Sequence, residues 1–93
     1  MPVTVRIPVT LRSATDGLSE VDLEAAHVGT LLKALEERFP RLAGRLSDGS
    51  DALPRFMRVY VNGRDVQILR GAETPLGDGD VVWLLPPLGG GRP

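Results

Sequence analysis

Residues 28–39 read VGTLLKALEERF, and this stretch decides the fold class. Its apolar residues fall on one side of a helix and its charged residues on the other, which predicts an amphipathic helix. Pro40 follows directly and should end or kink this helix, because proline lacks a backbone N–H and disfavours helical geometry at Phe39. Leu42 and Leu46 predict a further turn or two of loose helix. The apolar stripe consists of Val28, Leu31, Leu32, Leu35 and Phe39.

Two alternating segments precede this helix and predict a β-hairpin. From Val3 to Leu11 every second residue is apolar, which is the pattern of a strand with one buried face. Pro8 should mark a bulge or an edge-facing position, because it cannot donate a ladder hydrogen bond. Turn residues at 15–17 lead to a second alternating segment over residues 21–25. The charges of the two segments have opposite signs, as cross-strand pairs prefer. They are Arg6 and Arg12 in the first segment and Glu20, Asp22 and Glu24 in the second.

Further strand signals follow the helix. Residues 57–61 alternate and predict a third strand. Asn62-Gly63 is a strong hairpin signal, so residues 66–69 are predicted to return as a fourth strand. The apolar run Val81 to Leu85 predicts a strand that is buried on both faces or covered by a partner. Together these elements predict an α+β fold of the β-grasp kind, a mixed four- or five-stranded sheet with one main helix across one face.

The composition excludes most side-chain chemistry. The length of 93 residues corresponds to one domain. The absence of cysteine excludes disulfides, thiolate metal sites and cysteine nucleophiles, and the single histidine removes most histidine chemistry. A net charge of −1, from 11 basic and 12 acidic residues, argues against a nucleic-acid surface. No segment has the apolar length of a membrane span, and residues 1–3 begin no signal-peptide pattern. We therefore expect no nucleic-acid or membrane partner, no bound cofactor or metal, and a cytoplasmic location.

The segment after the last strand is the unusual feature. It reads PPLGGGRP over residues 86–93. The prolines stiffen the exit from the sheet, and the glycines lack side chains, which suits a segment that projects from the domain into a narrow channel of another protein. From composition alone, a frayed terminus is the alternative interpretation. The predicted division is a β-grasp domain of residues 1–86 and a flexible tail of residues 87–93, in which Pro87, Leu88 and Gly89 thread the channel.

Two segments resemble a known family, the ubiquitin-like sulfur carriers of the MoaD/ThiS type. They are residues 74–81, TPLGDGDV, and residues 85–91, LPPLGGG. Residues 61–63 and the opening strand fit the same pattern, so the resemblance covers essentially the whole chain. Within the family, the opening VTVRIP and the long loop before Met57 look most like the carrier used in bacterial cysteine biosynthesis. The small subunit of molybdopterin synthase is the nearest competitor.

The resemblance implies a protein that serves other enzymes and is not itself an enzyme. Family members have the carboxylate of their terminal glycine adenylated by an E1-like enzyme that uses ATP and magnesium. The acyl-adenylate is converted to a thiocarboxylate, which delivers sulfur to an acceptor enzyme such as one like cysteine synthase. The register of the motif places Gly91 at the terminal glycine and Gly90 before it. A ubiquitin-like modifier, joined to lysines through the same glycine, is a further alternative.

Arg92 and Pro93 depart from the family pattern, because most members end at the Gly-Gly pair. The two residues block the carboxylate that must be activated. The resemblance therefore implies a precursor that a protease, such as one of the JAMM type, trims after Gly91. A protein that never carries sulfur is the alternative.

Trp83 is the candidate partner-binding residue of the last strand. By family register its side chain lies opposite the face that the helix covers. With Val81 and Leu85 it is predicted to form an exposed apolar patch on which a partner enzyme docks. The alternative is a tryptophan that only covers its own sheet.

Overall fold

A computed structural model describes residues 2–42 and 57–85. Over these ranges the chain forms one mixed sheet of five strands, in the order β2-β1-β5-β3-β4, and one α-helix. This architecture confirms the predicted α+β class of the β-grasp kind. The elements are β1 (Val3–Arg6), β2 (Glu20–Leu23), α1 (Val28–Arg38), β3 (Arg58–Val61), β4 (Arg64–Asp65) and β5 (Val81–Leu85). The predicted turn at Leu46 and the whole predicted tail lie outside the described residues.

The centre of the sheet is formed by the first and the last described strands. β1 and β5 pair in parallel, with Val5 opposite Val82. β1 also pairs antiparallel with β2, and β5 pairs antiparallel with β3. A parallel pair needs a long crossover connection, and the segment that contains α1 supplies it. The predicted hairpin of β1 and β2 is present, although β2 ends at Leu23 and not at residue 25.

α1 packs across one face of the sheet, as its apolar stripe predicts. Its residues Val28, Leu31 and Leu35 have no exposed surface. The helix ends at Arg38, directly before Phe39 and Pro40, so the predicted effect of the proline is confirmed. The core between helix and sheet is completed by the inward-facing side chains of the central strands. These are Val3, Val5, Val59, Val61, Val82 and Leu84.

The first strand is shorter than the alternating segment that predicted it. β1 ends at Arg6, and residues Val9–Thr15 form a 3-10 helix. A 3-10 helix has three residues per turn, so Leu11 and Ala14 lie on the same side, and both are buried. Val9, which the alternation assigned to the buried face, is instead 74% exposed. The prediction of a strand up to Leu11 is therefore wrong.

The predicted hairpin at Asn62-Gly63 is present, but its second strand is displaced. The two residues have φ angles of 51° and 87°, the left-handed pair that a type I′ turn requires. The return strand β4 has two residues, because the Asp65 carboxylate accepts a hydrogen bond from the backbone N–H of Gln67 at 2.9 Å. This contact turns the chain into a 3-10 helix. The prediction of a strand over residues 66–69 is therefore wrong.

Candidate functional site

β5 presents opposite faces to the core and to the outside. Val82 and Leu84 are buried beneath α1, whereas Trp83 is 39% and Leu85 is 37% exposed. Because side chains alternate along a strand, Val81, Trp83 and Leu85 lie on the face of the sheet away from α1. The interpretation of β5 as a strand buried on both faces is wrong. Its coverage by a partner stays a prediction.

Trp83 lies at the centre of a row of side chains that crosses this outer face. The register places Arg6 beside Trp83 on β1 and Tyr60 beside it on β3. Glu20 lies opposite Arg6, and Asp65 lies opposite Tyr60. The Arg6 guanidinium is 4.9 Å from the centroid of the Trp83 ring. The aromatic residue is therefore flanked by a cation that belongs to the neighbouring strand.

The cross-strand charge pairs expected between the first two segments form in part. Arg6 and Glu20 form an ion pair, as predicted. Arg12 lies in the 3-10 helix, where its Nε donates a hydrogen bond to the carbonyl oxygen of Ile7 at 3.2 Å. Asp22 accepts a hydrogen bond from the Thr4 hydroxyl at 3.0 Å. The early 3-10 helix thus removes Arg12 from the sheet, and Arg6 is the cation that lies over the Trp83 ring.

A groove of about 350 Å³ lies beside Trp83 at the end of β5. It is lined by Arg6 and Arg12, by residues 7–10 where β1 passes into the 3-10 helix, and by Trp83, Leu84 and Leu85 of β5. Val9 is the most exposed of the large apolar side chains on this groove. Sequence reasoning missed Val9 as a surface residue, because the alternating pattern continues through it into a segment that is not a strand.

A hydrogen-bonded turn fixes the start of β5. The Asp80 carboxylate accepts hydrogen bonds from the Gly77 backbone N–H at 2.8 Å and from the Asn62 side-chain amide at 3.0 Å. The Asn62 side-chain oxygen in turn accepts from the N–H of Val81 at 3.0 Å. The bonds from Gly77 and Asn62 lower the pKa of Asp80 below its ordinary value. The Gly-Asp-Gly-Asp segment of the sequence motif thereby ties the β3–β4 hairpin to the strand that leads into the tail.

The residues predicted for adenylation, threading and processing lie outside the described residues. They are Pro87, Leu88, Gly89, Gly90, Gly91, Arg92 and Pro93. The described chain establishes where this segment starts: Leu85 is the last residue of β5 and lines the groove. Their roles stay predictions.

Residues 2–42 and 57–85 contain neither a candidate metal-ligand cluster nor a helix that could cross a membrane. No three potential ligand side chains in these ranges come together in a way that could hold a metal ion. No helix in them is long and apolar enough to cross a membrane.

The fold, with its exposed row on the outer face of the sheet, defines a ubiquitin-like β-grasp protein. The chain belongs to the ThiS family, whose model matches residues 5–91. It is 39% identical over 93 residues to the sulfur carrier protein CysO of Mycobacterium tuberculosis, a similarity that covers 98% of this chain and 100% of that relative. It is 44% identical over 66 residues to small archaeal modifier protein 3 of Haloferax volcanii, 71% of each chain. A chain in the crystal structure of the Amycolatopsis orientalis BexX/CysO complex is 38% identical, with a TM-score of 0.85 over 96% of this chain and 99% of that chain. These similarities confirm the predicted family.

Proposed function

We propose that this chain is a sulfur carrier, a co-substrate and not an enzyme, which carries sulfur as a thiocarboxylate on Gly91. One observation carries the proposal: the family match runs from residue 5 to residue 91 and so stops at the glycine predicted to be activated. The full-length similarity to a protein named as a sulfur carrier supports it. The chain has no cysteine, so no side-chain thiol competes with the main-chain carboxylate as the sulfur-bearing group.

The proposed chemistry takes place at the carbonyl carbon of Gly91. A carboxylate is a poor electrophile, because its negative charge repels nucleophiles. An oxygen of the carboxylate attacks ATP on the activating enzyme, pyrophosphate leaves, and the resulting acyl-adenylate carries AMP as a good leaving group. Sulfide (HS⁻) then attacks the acyl carbon, AMP leaves, and loss of the proton gives the thiocarboxylate. This soft anion stays ionised near neutral pH and attacks the electrophile held by the acceptor enzyme.

The described part of the chain presents the tail to these enzymes. Gly91 is six residues beyond Leu85, so even a fully extended segment places it at most about 21 Å from the end of β5. An enzyme that holds Gly91 in its active site must therefore approach this end of the sheet. The exposed Trp83 and Leu85, with the partly buried Val81, are proposed as the partner-binding surface.

The proposed partners are an E1-like adenylating enzyme, which supplies ATP and magnesium, and a sulfur-acceptor enzyme. The acceptor is proposed to resemble cysteine synthase, because VTVRIP at residues 3–8 and the long loop before Met57 look like the carrier of cysteine biosynthesis. The full-length similarity to CysO supports this choice. The cytoplasmic location predicted from the sequence belongs to the same proposal.

Removal of Arg92 and Pro93 is proposed to precede activation, because both residues stand beyond the carboxylate that must be adenylated. We expect the E1-like enzyme and ATP to adenylate a chain that ends at Gly91 and to leave the chain that ends at Pro93 unmodified. Release of pyrophosphate measures the reaction, and a JAMM-type protease should convert the longer form into a substrate. Equal adenylation of the two forms would contradict the processing step.

A ubiquitin-like modifier is the second candidate, and the 44% identity to small archaeal modifier protein 3 favours it. In that case the activated Gly91 is attacked by a lysine amine of a target protein, and an isopeptide bond forms with release of AMP. Intact mass spectrometry of the protein from its own cell separates the two. A carrier loses Arg92-Pro93 and has one oxygen replaced by sulfur, whereas a modifier is found in isopeptide-linked conjugates.

A further inference from the structure

The outer face of the sheet carries one tryptophan, and the arginine of an ion pair lies over its ring. Trp83 is the only tryptophan of the chain, and it is 39% exposed. The Arg6 guanidinium lies over its ring at 4.9 Å from the centroid, and Glu20 forms an ion pair with Arg6. Arg6 is the direct register neighbour of both residues. The three side chains therefore form one line across β2, β1 and β5.

This line restricts the orientation of an exposed ring before any partner arrives. A cation over an aromatic face is attracted by the ring quadrupole, and the ion pair keeps the guanidinium in place. An exposed side chain that is already ordered loses less conformational entropy when a partner covers it. Trp83 is not part of the core beneath α1. The contacts of Arg6 and Glu20 therefore order an exposed ring and do not serve core packing.

Val9 and Trp83 line the same groove at the end of β5. The 3-10 helix places Val9 on the surface, where 74% of it is exposed. Leu85 adds a third exposed apolar side chain to the same groove. Three large apolar side chains thus line one depression. Each could have been polar without disturbing the core, so their presence indicates an interaction surface.

The length of the following segment indicates what occupies this groove. Gly91 lies six residues beyond Leu85, at most about 21 Å away. An enzyme that encloses Gly91 must therefore come within this distance of Leu85, and the surface that it brings to this end of the sheet meets the groove. The occupant is therefore the enzyme that receives the tail, and the apolar side chains that line the groove are complementary to an apolar side chain of that enzyme.

We infer that Arg6 and Glu20 are positioning residues that orient Trp83 in a docking groove that Val9 also lines. We infer further that this groove seats an apolar side chain of the activating enzyme. This assignment rests on the proposed function and adds to it the residues that set the affinity of docking. Arg6 acts through Trp83 and not by contact with the reacting carboxylate.

The test uses the chain that ends at Gly91, the E1-like enzyme and ATP, with pyrophosphate release as the measurement. Arg6→Gln and Val9→Ser should each raise the KM for the carrier about tenfold and leave kcat within about twofold, because docking is weakened and chemistry is not. Trp83→Ala should raise the KM at least as much. Adding Arg6→Gln to Trp83→Ala should change nothing further, because the ring through which Arg6 acts is gone.

Two matched controls lie away from the groove. Arg64→Gln removes a cation from β4, and Ile68→Ser removes an apolar side chain that is 77% exposed. Neither should change the KM.

In the free carrier labelled with 5-fluorotryptophan, the single fluorine resonance should shift with Arg6→Gln and stay in place with Arg64→Gln. Circular dichroism spectra of the variants measure whether each one is folded.

Four results would overturn the inference in distinguishable ways. An unchanged KM for Arg6→Gln or Val9→Ser means that the groove is not used, and the proposed function stands. An equal rise in KM for the control variants means that docking has no preference for this groove. A full additional effect of Arg6→Gln in the Trp83→Ala chain means that Arg6 does not act through Trp83. Absence of adenylation of the unsubstituted chain that ends at Gly91 overturns the proposed function together with the inference.

Discussion

Asp80 links the stability of this small fold to pH. Its carboxylate accepts one hydrogen bond from the Gly77 backbone and one from Asn62, and both favour the ionised form. The pKa of Asp80 is accordingly lower than its ordinary value of 3.8. A group with a lowered pKa in the folded state stabilises that state above the pKa it has in the unfolded chain. This contribution is lost as the pH falls through the lowered value.

Replacement of Asp80 by alanine should lower the free energy of unfolding by about 1 kcal/mol near neutral pH, because the two hydrogen bonds that the Asp80 carboxylate accepts are lost. The difference from the wild type should shrink in solutions more acidic than the ordinary pKa of 3.8. Urea denaturation near pH 7 and at about pH 3 measures both values. Glu37→Ala, at an exposed position of α1, is the control and should change stability little at either pH. A difference for Asp80→Ala that does not depend on pH would contradict this account.

At the level of single elements, the Asn62-Gly63 turn sets the register of the β3–β4 hairpin. Gly63 has a φ of +87°, and a Cβ atom added to it would have nothing within 4 Å. A side chain there meets no neighbour, so its cost comes from the backbone conformation alone. Gly63→Ala should destabilise the fold by about 1 kcal/mol, as measured by thermal unfolding.

Gly77 provides the matched control for that substitution. Its φ lies outside the left-handed region, and an added Cβ would meet only an Asp80 carboxylate oxygen at 3.9 Å. Gly77→Ala should therefore leave stability nearly unchanged. A comparable loss in both variants would mean that glycine content, and not left-handed geometry, matters at these turns.

The elements that the sequence predicts well are those in which one local signal dominates. The helix over residues 28–38 has both a clear apolar stripe and a proline that ends it. The alternation over residues 3–11 is misleading, because a 3-10 helix can also bury Leu11 while Val9 turns outward. The short β4 could be anticipated only from Asp65, whose side chain caps the next turn.

The candidate site is predictable to the extent that it depends on strand periodicity. Alternation along β5 is enough to place Trp83 and Leu85 on one face. Arg6 and Val9 are not predictable in this way. Arg6 reaches Trp83 through the parallel pairing of β1 with β5, and Val9 lines the groove beside Trp83 from the 3-10 helix that follows β1. No periodicity within one segment specifies which residue of another strand lies opposite.

At the level of the whole molecule, we expect the two faces of the sheet to separate stability from the proposed docking. Leu84→Ala should lower the free energy of unfolding by about 2–5 kcal/mol, because Leu84 is only 1% exposed in the core. The adjacent Leu85→Ser should change it by about 1 kcal/mol or less, since this side chain faces outward. Leu85→Ser should instead raise the KM for adenylation. Denaturation and kinetics on the two variants test this, and a strong loss of stability from Leu85→Ser would contradict it.

The central pairing of β1 with β5 also has a consequence for the timing of folding. The middle of the sheet forms only when residues 3–6 pair with residues 81–85. It therefore depends on a pairing that is distant in sequence and slow to form. A nascent or prematurely terminated chain that lacks residues 81–85 has neither the core strand nor Trp83. We therefore expect an activating enzyme not to bind chains that lack β5, because the proposed docking surface forms only when β5 is present. The fold thereby restricts activation to chains in which the central pairing of β1 with β5 has formed.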